Sequence, residues 1–459
     1  MAEWYPLLVL AIGLVIVIGG IITLRLHAFI ALITAAVVVS LLAPGEWSGK
    51  IPRVADAFGS TAAGIGIVIA LAAIIGMAMT ASGAADRVVR VFLGLFGEKR
   101  GGTVLMASGF TLAIPVFFDT VFFLLVPLVR SMYRRTGRHY VKYLMAAGSC
   151  AAAHALVPPT PGPLIVAQSL GVDLGVMMLV GVLVALPAAA ASLVFAGWAD
   201  RRIAVDVPQE LGQPARDVDA PALVLPPLLW SFAPIILPVL LIASRTIAGA
   251  LGVGESVNGV VLTAWRVIDI LGNPEIALLL SAAIALMTWR RHARPSANDV
   301  SSGLGEALMA GGVIVLITCA GGAFGASLRG AGLAPAIQSL AGDAATGGMG
   351  LLLLAFAVAA LIKFAQGSST ASMIVTSAMF AAMLDNATLG FHPVYVATAI
   401  GSGSLVGSWM NDSGFWIFAK MGGLSELQTL KTWTPLLALI GIIAMTMTVI
   451  LALLMPLTE

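Results

Sequence analysis

Charge is what this sequence has least of. Asp, Glu, Lys and Arg make up 10% of its 459 residues, where a soluble domain carries roughly a quarter. That deficit excludes an ordinary water-facing surface. Cysteine is almost absent. Cys150 and Cys319 lie inside apolar segments, without the spacing of a disulfide framework or a thiolate metal centre. The signatures of soluble enzymes are missing too: there is no G-x-x-x-x-G-K-[ST] phosphate loop, no H-E-x-x-H and no Ser-His-Asp context. Their absence argues against an enzyme and against an ATP-driven pump, and favours an ion gradient as energy source. No metal, other cofactor or nucleic-acid partner is expected. Nor does a basic stretch precede the first apolar run, where Glu3 stands instead. That run reads as a retained span, not a cleaved signal peptide.

What remains is overwhelmingly apolar. Hydrophobic residues account for 59% of the chain, in runs that recur along its whole length, as in a polytopic α-helical membrane protein. Runs near 5–23, 26–43, 62–81, 140–171, 174–197, 226–244, 274–290, 303–328, 392–421 and 434–455 read as about ten spans. The 50 glycines and 23 prolines suit close helix contacts and interrupted spans. Segments 103–130 and 350–385 are also apolar, and each carries a polar or Pro-bearing tip at its centre: Ile114–Asp119 and Lys363–Thr370.

Basic residues mark cytoplasmic loops. Lys99 and Arg100 precede 103–130, and Arg130, Arg134, Arg135, Arg138 and Lys142 follow it. Both flanks belong inside, so the segment enters and returns as a re-entrant hairpin. The flanks of 350–385 hold no Lys or Arg, so the second hairpin enters from outside. Both termini are expected outside, and loop 44–58, with balanced charge, also falls there. The expected organisation is a first half (1–198), a cytoplasmic linker (199–225) and a second half (226–459). Segment 245–272 is too polar for a clear span and suits an interfacial helix. Gly64–Gly83 aligns without gaps on Gly311–Gly330 at an offset of 247. With the opposed charge maps, this points to two inverted-topology repeats, a secondary-transporter architecture.

Four stretches carry the chemistry. In the first tip, Pro115 interrupts the helix and Asp119 is an acid at membrane depth. It is a candidate for substrate or proton coupling, or else a cap on the returning helix. In the second tip, Gln366, Ser368, Ser369 and Thr370 open a helix. Hydroxyls, free N–H groups and the positive dipole end there suit a carboxylate, though simple capping is the alternative. Lys363 beside them adds charge to the site, pairs with an acid or reaches toward water. The third stretch, His154 to Pro163, holds four prolines and a glycine and cannot stay helical. His154, of a residue type that can titrate near neutral pH, is a candidate for coupling or else hydrogen-bonds the backbone at the break. The fourth runs from Gly401 to Gly414. There Asn411, Asp412 and Ser413 offer partners for hydroxyls or form a polar turn.

These stretches resemble the gluconate permease family. PVFFDTVFFLLVPLVRSMYRRTG is similar to its P-x-FFE…LLIPL…RR-x-G segment, HALVPPTPGP to H-x-x-PPHPGP, AQGSSTASM to AQGSATVAM, and NDSGFW with TLKTWT to NDAGFW…TLKTWT. The resemblance implies proton-coupled uptake of gluconate or a related sugar acid across the inner membrane. It also implies membership of the ion-transporter superfamily, whose members have two inverted repeats with hairpins and often work as homodimers by an elevator motion. Thr160 and Asp119 depart from the family's usual His and Glu, so the substrate is read as a hydroxylated carboxylate. Its carboxylate is expected near Ser368, Ser369, Thr370, Thr120 and Thr160, with Gln366 and Gly162 among the substrate-binding residues. Its hydroxyls fall to Asn411, Asp412 and Ser413, and the proton to Asp119, His154 or Asp412. The alternatives are another small carboxylate or an amino acid, sodium coupling, an anion channel, or a membrane-embedded enzyme.

Overall fold

The computed structural model describes residues 4–203, 225–250, 259–332, 348–384, 389–410 and 412–457, and those residues form helices joined by turns and short breaks. The first half begins with α1 (Tyr5–Ile22), α2 (Ala28–Leu42), α3 (Trp47–Ala81) and α4 (Ala84–Phe96). It continues with α5 (Gly101–Leu112), α6 (Phe118–Thr136), α7 (Tyr140–Gly148), α8 (Ala151–Leu156), α9 (Pro161–Ser169) and α10 (Leu174–Arg202). The second half holds α11 (Leu228–Ala250), α12 (Gly259–Leu271), α13 (Pro274–His292), α14 (Ala297–Gly330) and α15 (Met349–Gln366). It ends with α16 (Ser369–Leu384), α17 (Val394–Gly403), α18 (Ser413–Gly422) and α19 (Glu426–Leu454).

Among the described residues, five helices are long and apolar enough to cross a membrane: α3, α10, α11, α14 and α19. A sixth results if α12 and α13, bent by 62° at their junction, count as one. The chain is thus a multi-pass helical membrane protein. Fewer uninterrupted spans appear than the ten expected, partly because the runs at 140–171 and 392–421 are each cut by a break into shorter helices. A 12-residue helix such as α5 measures about 18 Å, well short of a hydrocarbon core of about 30 Å. It packs against α6, and α15 packs against α16, as the arms of two hairpins would.

Expected loop 44–58 is a correction, because α3 starts at Trp47 and runs for 35 residues. The polar residues that suggested a loop are accommodated in the helix. Lys50 is buried, donates from Nζ to Leu41 O at 2.6 Å and stands over the Trp47 ring. Pro52 lies inside the helix, as its sixth residue, and leaves out the one ladder bond its N–H would have made to Ser48 O. In segment 245–272, residues 251–258 lie outside the described ones. The rest extends α11 and forms α12, and the Arg245–Asp269 ion pair at 2.8 Å ties the two together. Of the expected linker, α10 takes the residues up to Arg202, and 204–224 are outside the described residues.

Helix ends carry their own signals. Ser296 with Asp299, and Ser425 with Gln428, form capping boxes at the starts of α14 and α19, satisfying amides that have no partner within the helix. Most of the core is a large apolar cluster reaching from α1 to α19, with a smaller one where α10, α11 and α13 meet at Met178, Ile242 and Ala277. The two longest helices, α3 and α14, pack on each other, and α14 also packs on α16. A second group gathers around α10 and α19, which contact each other, α7, α8 and α17. Glycines set the closest approaches. A Cβ on Gly403, the last residue of α17, would lie 2.2 Å from Phe356 O of α15.

Gly403→Ala is therefore expected to lower stability by about 1–3 kcal/mol, the usual cost of overpacking, measured by thermal unfolding of purified protein. Gly197→Ala on α10, where a Cβ meets nothing within 4 Å, should instead be neutral or gain up to about 1 kcal/mol from helix propensity.

Candidate functional site

Each of the four interrupted stretches breaks where its sequence demands. Between α5 and α6 the chain is non-helical over 113–117, with Pro115 unable to donate a ladder hydrogen bond. Gly367, at φ +83°, closes α15 in the left-handed conformation that suits glycine. The third break runs through Val157–Thr160 and includes a cis Pro158–Pro159 bond. The fourth extends from Ser404 to Asp412, with Gly407 at φ +91°.

One cavity of about 330 Å³ is lined from all four stretches: by Phe117 of the first break, Ser368 of the second, Leu405 and Asp412 of the fourth, and by His154, Ala155 and Pro161 on either side of the third. Its wall includes Asp119, His154, Ser368, Ser369, Thr370, Asp412 and Ser413, and its apolar side includes Ala310 and Ile314 of α14 and Trp433 and Leu437 of α19. Helices α6, α9, α16 and α18 all begin here, through Phe118, Pro161, Ser369 and Ser413. The positive ends of four helix dipoles therefore face one space and favour an anion, although α9 opens on Pro161 and Pro163, which carry no N–H, and the Gly414 and Ala371 amides are taken by Asp412 Oδ1 and Ser368 Oγ. Ser368 and Ser413 are exposed to that space, while Ser369 Oγ is turned to Ser404 O at 2.8 Å.

Beside the cavity lies a buried ion pair. Lys363 is 0% and Asp412 7% exposed, and Lys363 Nζ stands 2.8 Å from Asp412 Oδ2. The same ammonium donates to Gly367 O. Asp412 Oδ2 also accepts from Ser408 Oγ, and Oδ1 accepts from Gly414 N at 3.0 Å. Trp433 Nε1 in turn donates to Ser408 Oγ at 2.8 Å. The Trp433 ring packs on Phe118 and Phe418, with centroids at 5.3 and 5.0 Å, so this network joins α15, α18, α6 and α19. Asp119 differs in being exposed to the cavity. His154 Nδ1 is buried and has no hydrogen-bond partner among the described residues.

Seven of the sequence-expected residues are therefore brought together. Thr120, Thr160 and Gly162 are not among the lining residues. Thr160 is buried, and its Oγ1 donates to His154 O (2.9 Å) in the preceding helix and to Val157 O (2.7 Å) in its own break. Gly162 makes room for Met373, whose Cε would be 2.1 Å from a Cβ there. Asn411 and the Gln366 side chain lie outside the described residues. Sequence reasoning missed Ser408 and Trp433, although Trp433 belongs to the TLKTWT segment. Among the described residues, no group of three or more His, Cys, Asp or Glu could hold a metal ion.

Thr160→Val leaves the His154 and Val157 carbonyls without this donor. It should destabilise the purified protein by about 1–3 kcal/mol, whereas Thr160→Ser keeps the hydroxyl and should unfold near the wild-type temperature in the same thermal assay.

Comparison with known proteins now fits this geometry. The profile of the GntP family permease matches residues 5–454. An uncharacterized permease of Haemophilus influenzae is 32% identical over 435 residues, covering 92% of this chain and 87% of its own. A gluconate permease of Pseudomonas aeruginosa is 31% identical over 452 residues, covering 97% and 96%. Among solved structures, the YdaH transporter of Alcanivorax borkumensis superposes with a TM-score of 0.63 at 15% identity, over 94% of this chain and 98% of that one, a likeness of fold. The chain therefore belongs to the GntP family of permeases, and is a membrane transport protein, not an enzyme.

Proposed function

We propose that this permease takes up gluconate or a related sugar acid together with a proton, as a secondary active symporter working by alternating access. One observation carries the reading: four helix N-termini and a set of hydroxyls converge on one cavity of about 330 Å³ in a member of a permease family. That volume lies in the range of small-molecule sites, roughly 300–1,000 Å³. The gluconate permease of Pseudomonas aeruginosa supports the substrate class. In this reading the carboxylate lies at the start of α16, by Ser368, Ser369 and Thr370, and the hydroxyls reach Ser413, Asn411 and Asp412. Thr160 acts through the backbone it holds.

Charge balance supports a proton as the coupling ion. Lys363 and Asp412 offset each other, which leaves Asp119 facing an incoming anion. Two like charges in one water-poor cavity repel strongly, and protonation of Asp119 removes the repulsion. His154 and Asp412 are the other titratable groups on the wall. Helices α3, α5–α10 and α14–α19 follow the same order: a long helix, a hairpin, a broken helix and a long helix. We read them as two inverted repeats with two re-entrant hairpins and about ten crossings, both termini outside the inner membrane. A homodimer moving its hairpins by an elevator motion completes the proposal.

The test is uptake of labelled gluconate by proteoliposomes holding purified protein. An inward proton gradient should drive accumulation, and a protonophore should abolish it. Asp119→Asn should lose accumulation while still exchanging labelled for unlabelled gluconate. The proton assignment fails if gradient-driven uptake survives in both Asp119→Asn and Asp412→Asn. Competition by sugar acids, glycerate and amino acids reads out the substrate range.

A further inference from the structure

We propose that the Lys363 ammonium fills a built-in monovalent-cation site and acts as a positioning group, so that the anion site is assembled without sodium and Asp412 is not the proton carrier. This inference rests on the symport reading for its transport readout, but not for its binding readout.

Two oxygens hold the ammonium, the Gly367 carbonyl and Asp412 Oδ2, and the Ser408 hydroxyl donates to that same carboxylate oxygen. Carbonyl and carboxylate oxygens are also the donors that hard cations take. The ammonium meets them from the end of a side chain and cannot diffuse away. It bonds the tip of the second hairpin, at Gly367, to the N-cap of α18, at Asp412. Neighbouring contacts hold the same two breaks together. Trp409 Nε1 donates to Phe364 O at 3.0 Å, Ser369 Oγ donates to Ser404 O at 2.8 Å, and Gly407 lies against Phe364. The starts of α16 and α18, which face the anion, are thereby fixed relative to each other.

The same bonds occupy Asp412. Both carboxylate oxygens are used, by Lys363, Ser408 and the Gly414 amide, and the residue is almost wholly buried. A proton arriving there would compete with the bonds from Lys363, Ser408 and the Gly414 amide. Around the cavity, the other titratable groups facing this pair are Asp119 and His154. Asp119 is open to the cavity, so it can exchange a proton without dismantling the site.

The experiment uses the full chain in two readouts. In thermal unfolding of purified protein, sodium or methylammonium should stabilise Lys363→Ala and leave the wild type unmoved, since an added cation can enter only an emptied site. In proteoliposomes, wild-type gluconate uptake should be the same in sodium and in choline. Lys363→Ala should lose uptake in choline and regain at least about tenfold when methylammonium or sodium is supplied. A Lys363→Met/Asp412→Asn double variant removes both charges and keeps similar volume. Its uptake should fall, while its pH profile keeps the wild-type midpoint. The proposal is overturned if neither cation stabilises or rescues a folded Lys363→Ala, if wild-type uptake requires sodium, or if the double variant's pH profile shifts or flattens. If the wild type takes up no sugar acid at all, the symport reading fails instead, and cation-dependent stabilisation of Lys363→Ala still decides the site.

Discussion

A polypeptide can leave the helical conformation inside a membrane only where protein or trapped water satisfies its amides and carbonyls. The four breaks of this permease meet at one place, and that constraint gives the meeting a physical reason. Each break frees polar groups that hydrocarbon would penalise, and together they supply one polar pocket in an apolar fold. The hydroxyl of Thr160 answers the carbonyls of Val157 and of His154 in the preceding helix, and Trp409 of the fourth break reaches the Phe364 carbonyl of α15. In the proposed reading, the positive ends of four helix dipoles face the anion there, so that binding site and structural solution share the same breaks.

The ion pair fits the same logic with larger stakes. Burying one charge alone is costly, and a pair is tolerated only with good geometry and further hydrogen bonds. Lys363 and Asp412 meet both conditions, with further hydrogen bonds to Gly367, Ser408 and Gly414. Such a pair contributes less to net stability than to uniqueness, because other packings of the two breaks would strand a charge.

Much of the site was legible in the sequence for a simple reason. Prolines, glycines and acids are expensive within apolar runs, so Ile114–Asp119, Val157–Pro163, Gln366–Thr370 and Trp409–Gly414 stood out against their background. What could not be read was pairing. Lys363 and Asp412 are far apart along the chain, and periodicity says nothing about which buried base meets which buried acid. Thr160 misled in a related way, because a hydroxyl in a broken segment serves the backbone as readily as a ligand. The beginning of α3 was lost for a third reason. Lys50, Arg53 and Asp56 look like a loop to any hydropathy reading, yet Lys50 is buried and bonded to the end of α2.

The length of α3 and α14 has a further consequence. At 35 and 34 residues, each measures about 50 Å, against a hydrocarbon core of about 30 Å. Both must lean or project beyond the lipid, and the lean depends on how thick the lipid is. Because α14 lines the cavity through Ala310 and Ile314 and packs on α16, bilayer thickness becomes an input to the geometry of the site. The membrane is then a mechanical component of this protein as well as its solvent.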